Sequence, residues 1–125
     1  ELRISCPPGF EPSKALLKAN RDRVSIEHDP LVAAKGCDLL ITDVWASMGQ
    51  ESEQQERARL FAPYQVNEEL MSLAATDALY MHCLPAHRDD EATSSVMDGK
   101  HSVIFDEAEN RLHVQKAIMR HCLSK

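Results

Sequence analysis

Three short clusters hold most of the side chains in this chain that could do chemistry. The first is Asp43-Val44-Trp45-Ala46-Ser47-Met48-Gly49-Gln50-Glu51, an acid followed by a polar, Gly-containing loop. An acid in that setting can hold a cationic amine or orient a nucleophile; its plainer role is to cap a turn. The second is His82-Cys83-Leu84-Pro85-Ala86-His87-Arg88. A Cys among His and Arg can have a depressed pKa and some thiolate character. It can equally be a small buried hydrophobe, the commoner state of a free Cys. His82, Cys83 and His87 also have metal-ligand chemistry, but neighbours on a strand point to opposite faces, which sets His82 against Cys83 as co-ligands. The third cluster is Asp106-Glu107-Ala108-Glu109-Asn110-Arg111. The planar fork of Arg111 can bind an oxyanion or phosphate, or make a surface ion pair.

The elements that must position these clusters alternate between short β-like and helical runs. Strands are expected at Leu2 to Cys6, Val24 to Glu27, Asp38 to Asp43, Ala78 to Cys83 and Ser102 to Phe105. The run Asp38-Leu39-Leu40-Ile41-Thr42-Asp43 is continuously apolar in its centre, the pattern of a strand buried on both faces. Helices are expected from Lys14 to Arg23 behind a Ser13 cap, and after Asp29-Pro30, closed by Gly36. Further helices are expected over Glu53 to Ala62, with Ser52 and Gln55 as a capping box, over Glu68 to Ala74 behind Asn67, and over Glu91 to Met97. The last runs from about Glu107 to Cys122, with Val114, Ala117, Ile118 and Cys122 as an apolar stripe. Glu51 to Arg59 is charge-dense and reads as a solvated helix face. Strands alternating with helices predict an α/β fold: a three-layer, Rossmann-like parallel sheet with helices on both faces. In such sheets ligands bind at the carboxyl ends of strands, which singles out the segments after Asp43 and after His82-Cys83.

Composition narrows the function classes. With 125 residues the chain is about one domain, spanning 1–125, and long enough to bury a core without staples. A net charge of -6 argues against a nucleic-acid partner, which would meet a basic face. No apolar run approaches the roughly 18 residues of a membrane span, so no membrane partner is expected. The four cysteines, Cys6, Cys37, Cys83 and Cys122, have no framework spacing, which fits a reducing, cytoplasmic setting. No G-x-G-x-x-G or P-loop pattern is present, which disfavours a nucleotide-binding dehydrogenase domain. The chain opens without Met, directly on a strand-like segment, as a piece of a longer chain would.

Taken together, Asp43-Val44-Trp45-x-Ser47-Met48-Gly49-Gln50-Glu51, His82-Cys83-Leu84-Pro85 and Phe105-Asp106-Glu107-Ala108-Glu109-Asn110-Arg111 resemble ornithine carbamoyltransferases in order and spacing. The resemblance covers essentially the whole chain and points to the ornithine-binding domain. The Ser-Met-Gly loop is its most specific piece. Aspartate carbamoyltransferases have Pro in place of the Cys of the second motif, and putrescine and acetylornithine carbamoyltransferases differ in the loop. The resemblance implies that Asp43 receives the δ-amino end of L-ornithine, while Ser47 and Met48 hold its α-amino and carboxylate end. It implies that Cys83 lies near the δ-nitrogen, that Cys83 and Leu84 contact the carbamoyl group, and that Arg111 binds carbamoyl phosphate. Asp43 and Cys83 are the expected catalytic pair, the Leu84-Pro85 bond is expected to be cis, and neither metal nor organic cofactor is required. The implied reaction is attack by the neutral δ-amine on carbamoyl phosphate, giving citrulline and phosphate. A free δ-amine resembles Lys, with a pKa of about 10.4, so the site must take a proton from it.

The resemblance also defines what is not found. The family's amino-terminal domain carries a Ser-Thr-Arg-Thr phosphate loop and a His-Pro-x-x-x-x-Asp segment, and this sequence has neither. The segment that normally opens the ornithine domain, a strand with an Asn that grips ornithine, is absent too. That strand would be central, so its two flanking edges are expected to be unpaired or forced together, and open edges invite association. The chain alone is expected to be inactive; the full enzyme is expected to be a homotrimer built mainly through the amino-terminal domain. The alternative is a non-catalytic amino-acid-binding or interaction module, which would bind ornithine alone and have no use for Arg111.

Overall fold

The structure is a computed structural model that describes residues 1–46 and 54–124. Ser47, Met48 and the Ser52 half of the expected capping box lie outside the described residues. The chain opens on β1 (Leu2–Ile4), and a turn with Gly9 at φ +95° leads to α1 (Lys14–Ala19). Ser13 accepts a hydrogen bond from the Leu16 N–H and caps α1. The helix stops well short of Arg23 because Asn20 competes for the backbone. Its side-chain amide donates to the Leu16 carbonyl at 2.9 Å, and its own carbonyl takes the N–H groups of Arg23 and Val24. Then follow β2 (Val24–Ile26) and α2 (Pro30–Ala34). Asp29 caps α2 by accepting from the Leu31 N–H at 2.9 Å, and Gly36 at φ +66° ends it as expected.

β3 (Leu39–Thr42), α3 (Gln54–Phe61), a 3-10 turn (Ala62–Tyr64), α4 (Glu68–Leu73) and β4 (Leu79–His82) form the centre of the chain. The strands do not make one sheet. β1 pairs with β2 and β3 with β4, each pair parallel, as two separate two-stranded sheets. Between them runs a groove of about 410 Å³, with Arg3 and Ser5 on the β1 side and Leu39 to Thr42 on the β3 side. The flanking edges anticipated around a missing central strand are therefore held apart rather than forced together.

The core gathers Leu40, Tyr80, Leu70, Val96, Met97 and Ile104 around the inner face of β3–β4. The expectation that the Asp38 to Asp43 strand is buried on both faces fails. Leu40 is buried, but Leu39 and Ile41 are 40% and 61% exposed, and Leu79 of β4 is 42% exposed. The apolar run is real, but nothing among the described residues covers its outer face.

Three other expectations shift. The helix expected from Glu91 begins only at α5 (Ser94–Met97), because the backbone just before it is used in pairing. Val66 donates to the Glu91 carbonyl and accepts from the Thr93 N–H, both at 3.0 Å. The strand expected over Ser102 to Phe105 is reduced to a single parallel bridge from Ser102 to Tyr80. α6 (Ile104–Leu123) starts three residues before Glu107, anchored by buried Ile104. Its stripe, by contrast, is open: Val114 and Ile118 are each 56% exposed, and Ile104 is the helix's one buried residue. No helix among the described residues is long and apolar enough to cross a membrane.

Candidate functional site

Parallel pairing brings the two expected segments together. Thr42 of β3 is in register with His82 of β4, so Asp43 and Cys83 leave neighbouring strand ends side by side. The Cys83 thiol donates to Asp43 Oδ1 at 3.4 Å, and the same oxygen accepts from the Val44 N–H at 2.8 Å. Asp43 itself is exposed. Trp45, two residues on, packs among aromatic rings: it lies 6.1 Å from the Phe61 ring, which meets Phe10 edge-on at 4.9 Å. Arg57 sits over Phe10, 5.5 Å from its centroid, and donates to the Trp45 carbonyl at 3.5 Å.

Of the two readings left open for Cys83, the surroundings do not favour the thiolate one. Burial pushes its thiol pKa up first, and the hydrogen bond to Asp43, the Asp43 charge and Glu107 add to the rise. The lowering cations that a His- and Arg-rich sequence promised point elsewhere: Arg88 makes a two-pronged pair with Asp98 at 2.6 and 2.9 Å. Cys83 is thus a protonated donor at neutral pH.

Beyond Cys83 the chain turns sharply. Leu84 has φ +53°, and the Leu84–Pro85 bond is cis, as the motif implied. Under this corner lie His82, 0% exposed, and Glu91, 1% exposed. The Leu84 N–H donates to His82 Nδ1 at 3.0 Å, His82 Nε2 meets Glu91 Oε1 at 3.1 Å, and the His87 N–H donates to the same Oε1 at 2.6 Å. Tyr80 is fully buried next to them; among the described residues its hydroxyl has no partner, and burial with the charges of Glu91 and Glu107 drives its pKa far above the ordinary phenol value.

As for metal chemistry, the ligand-type groups that converge within 4.8 Å among the described residues are Asp43, His82 and Cys83, and separately His87, Asp90 and Glu91. The grouping of His82, Cys83 and His87 considered from sequence is not formed. His82 and Cys83 do converge, against strict alternation, because the strand ends at His82. Both His82 nitrogens are already engaged, by Leu84 and Glu91.

Arg111 lies within α6 and is exposed. Among the described residues no hydrogen bond or ion pair ties it to Asp43 or Cys83. The structure therefore joins Asp43, Cys83 and Leu84, and leaves Arg111 reaching outward. What the sequence did not disclose is Glu91. It sits in the run Arg88-Asp89-Asp90-Glu91, where nothing distinguishes the one acid that turns inward.

Residues 1–122 match the family model for the Asp/Orn binding domain of aspartate/ornithine carbamoyltransferase. The chain belongs to this family. It is similar to the ornithine carbamoyltransferase of Methylococcus capsulatus, at 57% identity over 123 residues, covering 98% of the chain and 41% of that relative. Among solved structures it is similar to ornithine carbamoyltransferase from Pyrococcus furiosus, with TM-score 0.85, 46% identity, and coverage of 94% of this chain and 40% of that one. The anabolic ornithine carbamoyltransferase from Campylobacter jejuni gives TM-score 0.87 at 34% identity, covering 96% and 42%. The α/β fold is thereby established at high structural similarity. The chain spans about two fifths of the length of these relatives.

Proposed function

We propose that this chain supplies the ornithine side of an ornithine carbamoyltransferase site, in a polypeptide that also carries a carbamoyl-phosphate domain. The observation that carries this reading is the Cys83–Asp43 contact at the ends of adjacent parallel strands. It sets a carboxylate beside a thiol donor at the carboxyl ends of adjacent parallel strands, which supports a ligand site there. Asp43 receives the δ-ammonium of ornithine. Two donors occupy Oδ1, and a carboxylate has further acceptor sites for an amine. Because the Cys83 thiol is held protonated, Asp43 rather than Cys83 is the group that takes charge from the amine. The thiol donates, fixing the carboxylate and facing the carbamoyl oxygen. Leu84, at the corner, presents its backbone to the same carbamoyl group. Ser47 and Met48 bind the amino-acid end of ornithine, and Arg111 offsets charge on the departing phosphate. Asp43 takes one proton from the δ-ammonium; the neutral δ-nitrogen then attacks the carbonyl carbon and forms the C–N bond, the C–O bond breaks with its electron pair on the phosphate, and the second proton passes from the nitrogen to the departing phosphate. The full enzyme works in the cytoplasm as a homotrimer.

The 125-residue chain alone is expected to form no citrulline above a buffer blank, since it has no phosphate loop of its own. Joined to a carbamoyl-phosphate domain it is expected to be active, and Asp43→Asn there is expected to reduce kcat by about 100-fold or more. Citrulline made by the lone chain, or an Asp43→Asn enzyme of near-normal rate, would overturn the assignment. Ornithine binding by the lone chain in calorimetry, without activity in the joined form, favours the binding-module reading instead.

A further inference from the structure

A buried acid–imidazole pair is costly unless its hydrogen bonds are well made. His82 and Glu91 are the two buried polar or charged residues of the described chain, and neither is used by the reaction outlined above. Among the described residues, the side-chain hydrogen bonds they make, beyond the one to each other, bear on one segment. Leu84 N–H enters His82 Nδ1 and His87 N–H enters Glu91 Oε1, so the pair grips the loop near both of its ends. Glu91 is itself held from behind. Its backbone carbonyl accepts from the Val66 N–H at 3.0 Å, and Gln65 Nε2 donates to the carbonyls of Asp89 and Asp90 at 2.7 and 2.9 Å.

The direction of these bonds fixes a tautomer. An N–H can donate to Nδ1 only if that nitrogen carries no proton, so the ring proton sits on Nε2 and points at Glu91. The opposite tautomer would set two N–H groups head to head at Leu84. Leu84 is also the residue least able to hold its place unaided. At φ +53° a Leu is in a sparsely populated region, kept only where its surroundings enforce it.

We propose that Glu91 and His82 are positioning residues. Glu91 selects the Nε2–H tautomer of His82, and the bare Nδ1 so created holds the Leu84 corner and with it the placement of the Cys83 thiol against Asp43. The inference deepens the carbamoyltransferase reading and rests on it for its catalytic meaning, but its geometry can be read in the chain itself.

Long-range proton–nitrogen NMR correlation on the 125-residue chain reports the His82 tautomer directly. The Nε2–H form is expected, and the Nδ1–H form overturns the proposal even if no variant folds. Alkylation of Cys83 by iodoacetamide, followed by mass spectrometry at fixed pH, reports the thiol's placement. Glu91→Gln keeps an acceptor for both N–H groups, so tautomer and alkylation rate should stay close to the parent chain. Glu91→Met keeps bulk without an acceptor; mixed tautomers and an alkylation rate changed about tenfold are expected, the scale of losing a partner behind a ligand-orienting His. His82→Asn retains an acceptor near the Nδ1 position and should disturb Cys83 less than His82→Leu. An unchanged Cys83 rate in folded Glu91→Met and His82→Leu overturns the proposal. In the joined enzyme, Glu91→Met should lower kcat more than it alters the KM for ornithine. A joined enzyme that makes no citrulline refutes the functional reading while leaving the NMR and alkylation results to decide the positioning role.

Discussion

The two strand pairs of this chain obey the same local rules and meet different fates. β1–β2 and β3–β4 are both parallel and short, and each is joined by a helical crossover. Yet Leu40, Tyr80 and His82 of the second pair are buried, while no residue of β1 or β2 is. β1–β2 is tied to the rest by polar threads. Arg3 reaches the carbonyls of Ala33 and Lys35 at 3.2 and 2.8 Å, His28 meets the Cys6 carbonyl at 2.8 Å, and Tyr64 donates to the His28 carbonyl at 2.8 Å. Parallel pairing alone does not make a core, since its stability comes from side chains removed from water. The proposed site residues Asp43 and Cys83 follow the pair that has such a core.

The largest effect should come from attacking that difference directly. Tyr80→Ala, at a fully buried position, is expected to destabilise the chain by about 3–5 kcal/mol, a large share of a domain's total stability. Ile26→Ala on half-buried β2 is expected to cost about 1 kcal/mol. Urea titrations followed by circular dichroism measure both. Equal losses would show that the groove does not separate two regions of unequal stability. Hydrogen exchange should agree, with the amides of Val24 to Ile26 opening well before those of Tyr80 and His82.

The same contrast explains what the sequence could disclose. The strand ends after Asp43 and Cys83 were legible because Gly and Pro punctuation locates parallel strands, and parallel strands locate their sites. Caps at Ser13, Asp29 and Asn67 were legible because they act within three residues. Burial was not legible. The run Leu39-Leu40-Ile41 looks buried on both faces whether or not a covering layer is present, and the α6 stripe looks like a core face while lying open. The inward turn of Glu91 depends on Val66, far away in sequence, pairing with the backbone around it. The protonation of Cys83 was left open for a related reason: proximity in sequence to His and Arg says nothing about which acid the thiol will meet across the sheet.

That last point sets an intermediate effect. Asp43 contributes to the raised Cys83 thiol pKa through its hydrogen bond and its charge, with burial the larger cause. Asp43→Asn removes the charge, so the thiolate becomes easier to form and its pKa falls back towards the ordinary thiol range without reaching it. Below that pKa the thiolate fraction, and with it the alkylation rate at pH 7.5, is expected to rise several-fold, up to about tenfold for each unit recovered. No change in rate would mean that burial alone governs the thiol and that the contact across β3 and β4 is electrostatically idle. A change confined to Cys83, with Cys122 on exposed α6 unaffected, would tie it to the paired strands.

The smallest effect belongs to the other polar tie on the same loop. Arg88 and Asp98 make a two-pronged pair of good geometry, but both are exposed, whereas His82 and Glu91 are buried. Exposed pairs contribute little because water and salt screen them. The Arg88 partner holds the Asp98 pKa below its usual value. A depressed folded-state pKa means that the contribution is present above the unfolded value, about pH 4, and is lost as pH falls through the folded one. A double-mutant cycle with Arg88→Met and Asp98→Asn should therefore show a slight coupling at pH 7 that vanishes in strong acid and in high salt, measured by urea titration. If that coupling rivals the cost of Glu91→Met, geometry rather than burial sets the strength of polar contacts here. The contrast between the two strand pairs would then lose its physical basis, since β1–β2 is held by polar contacts that are exposed or only part-buried.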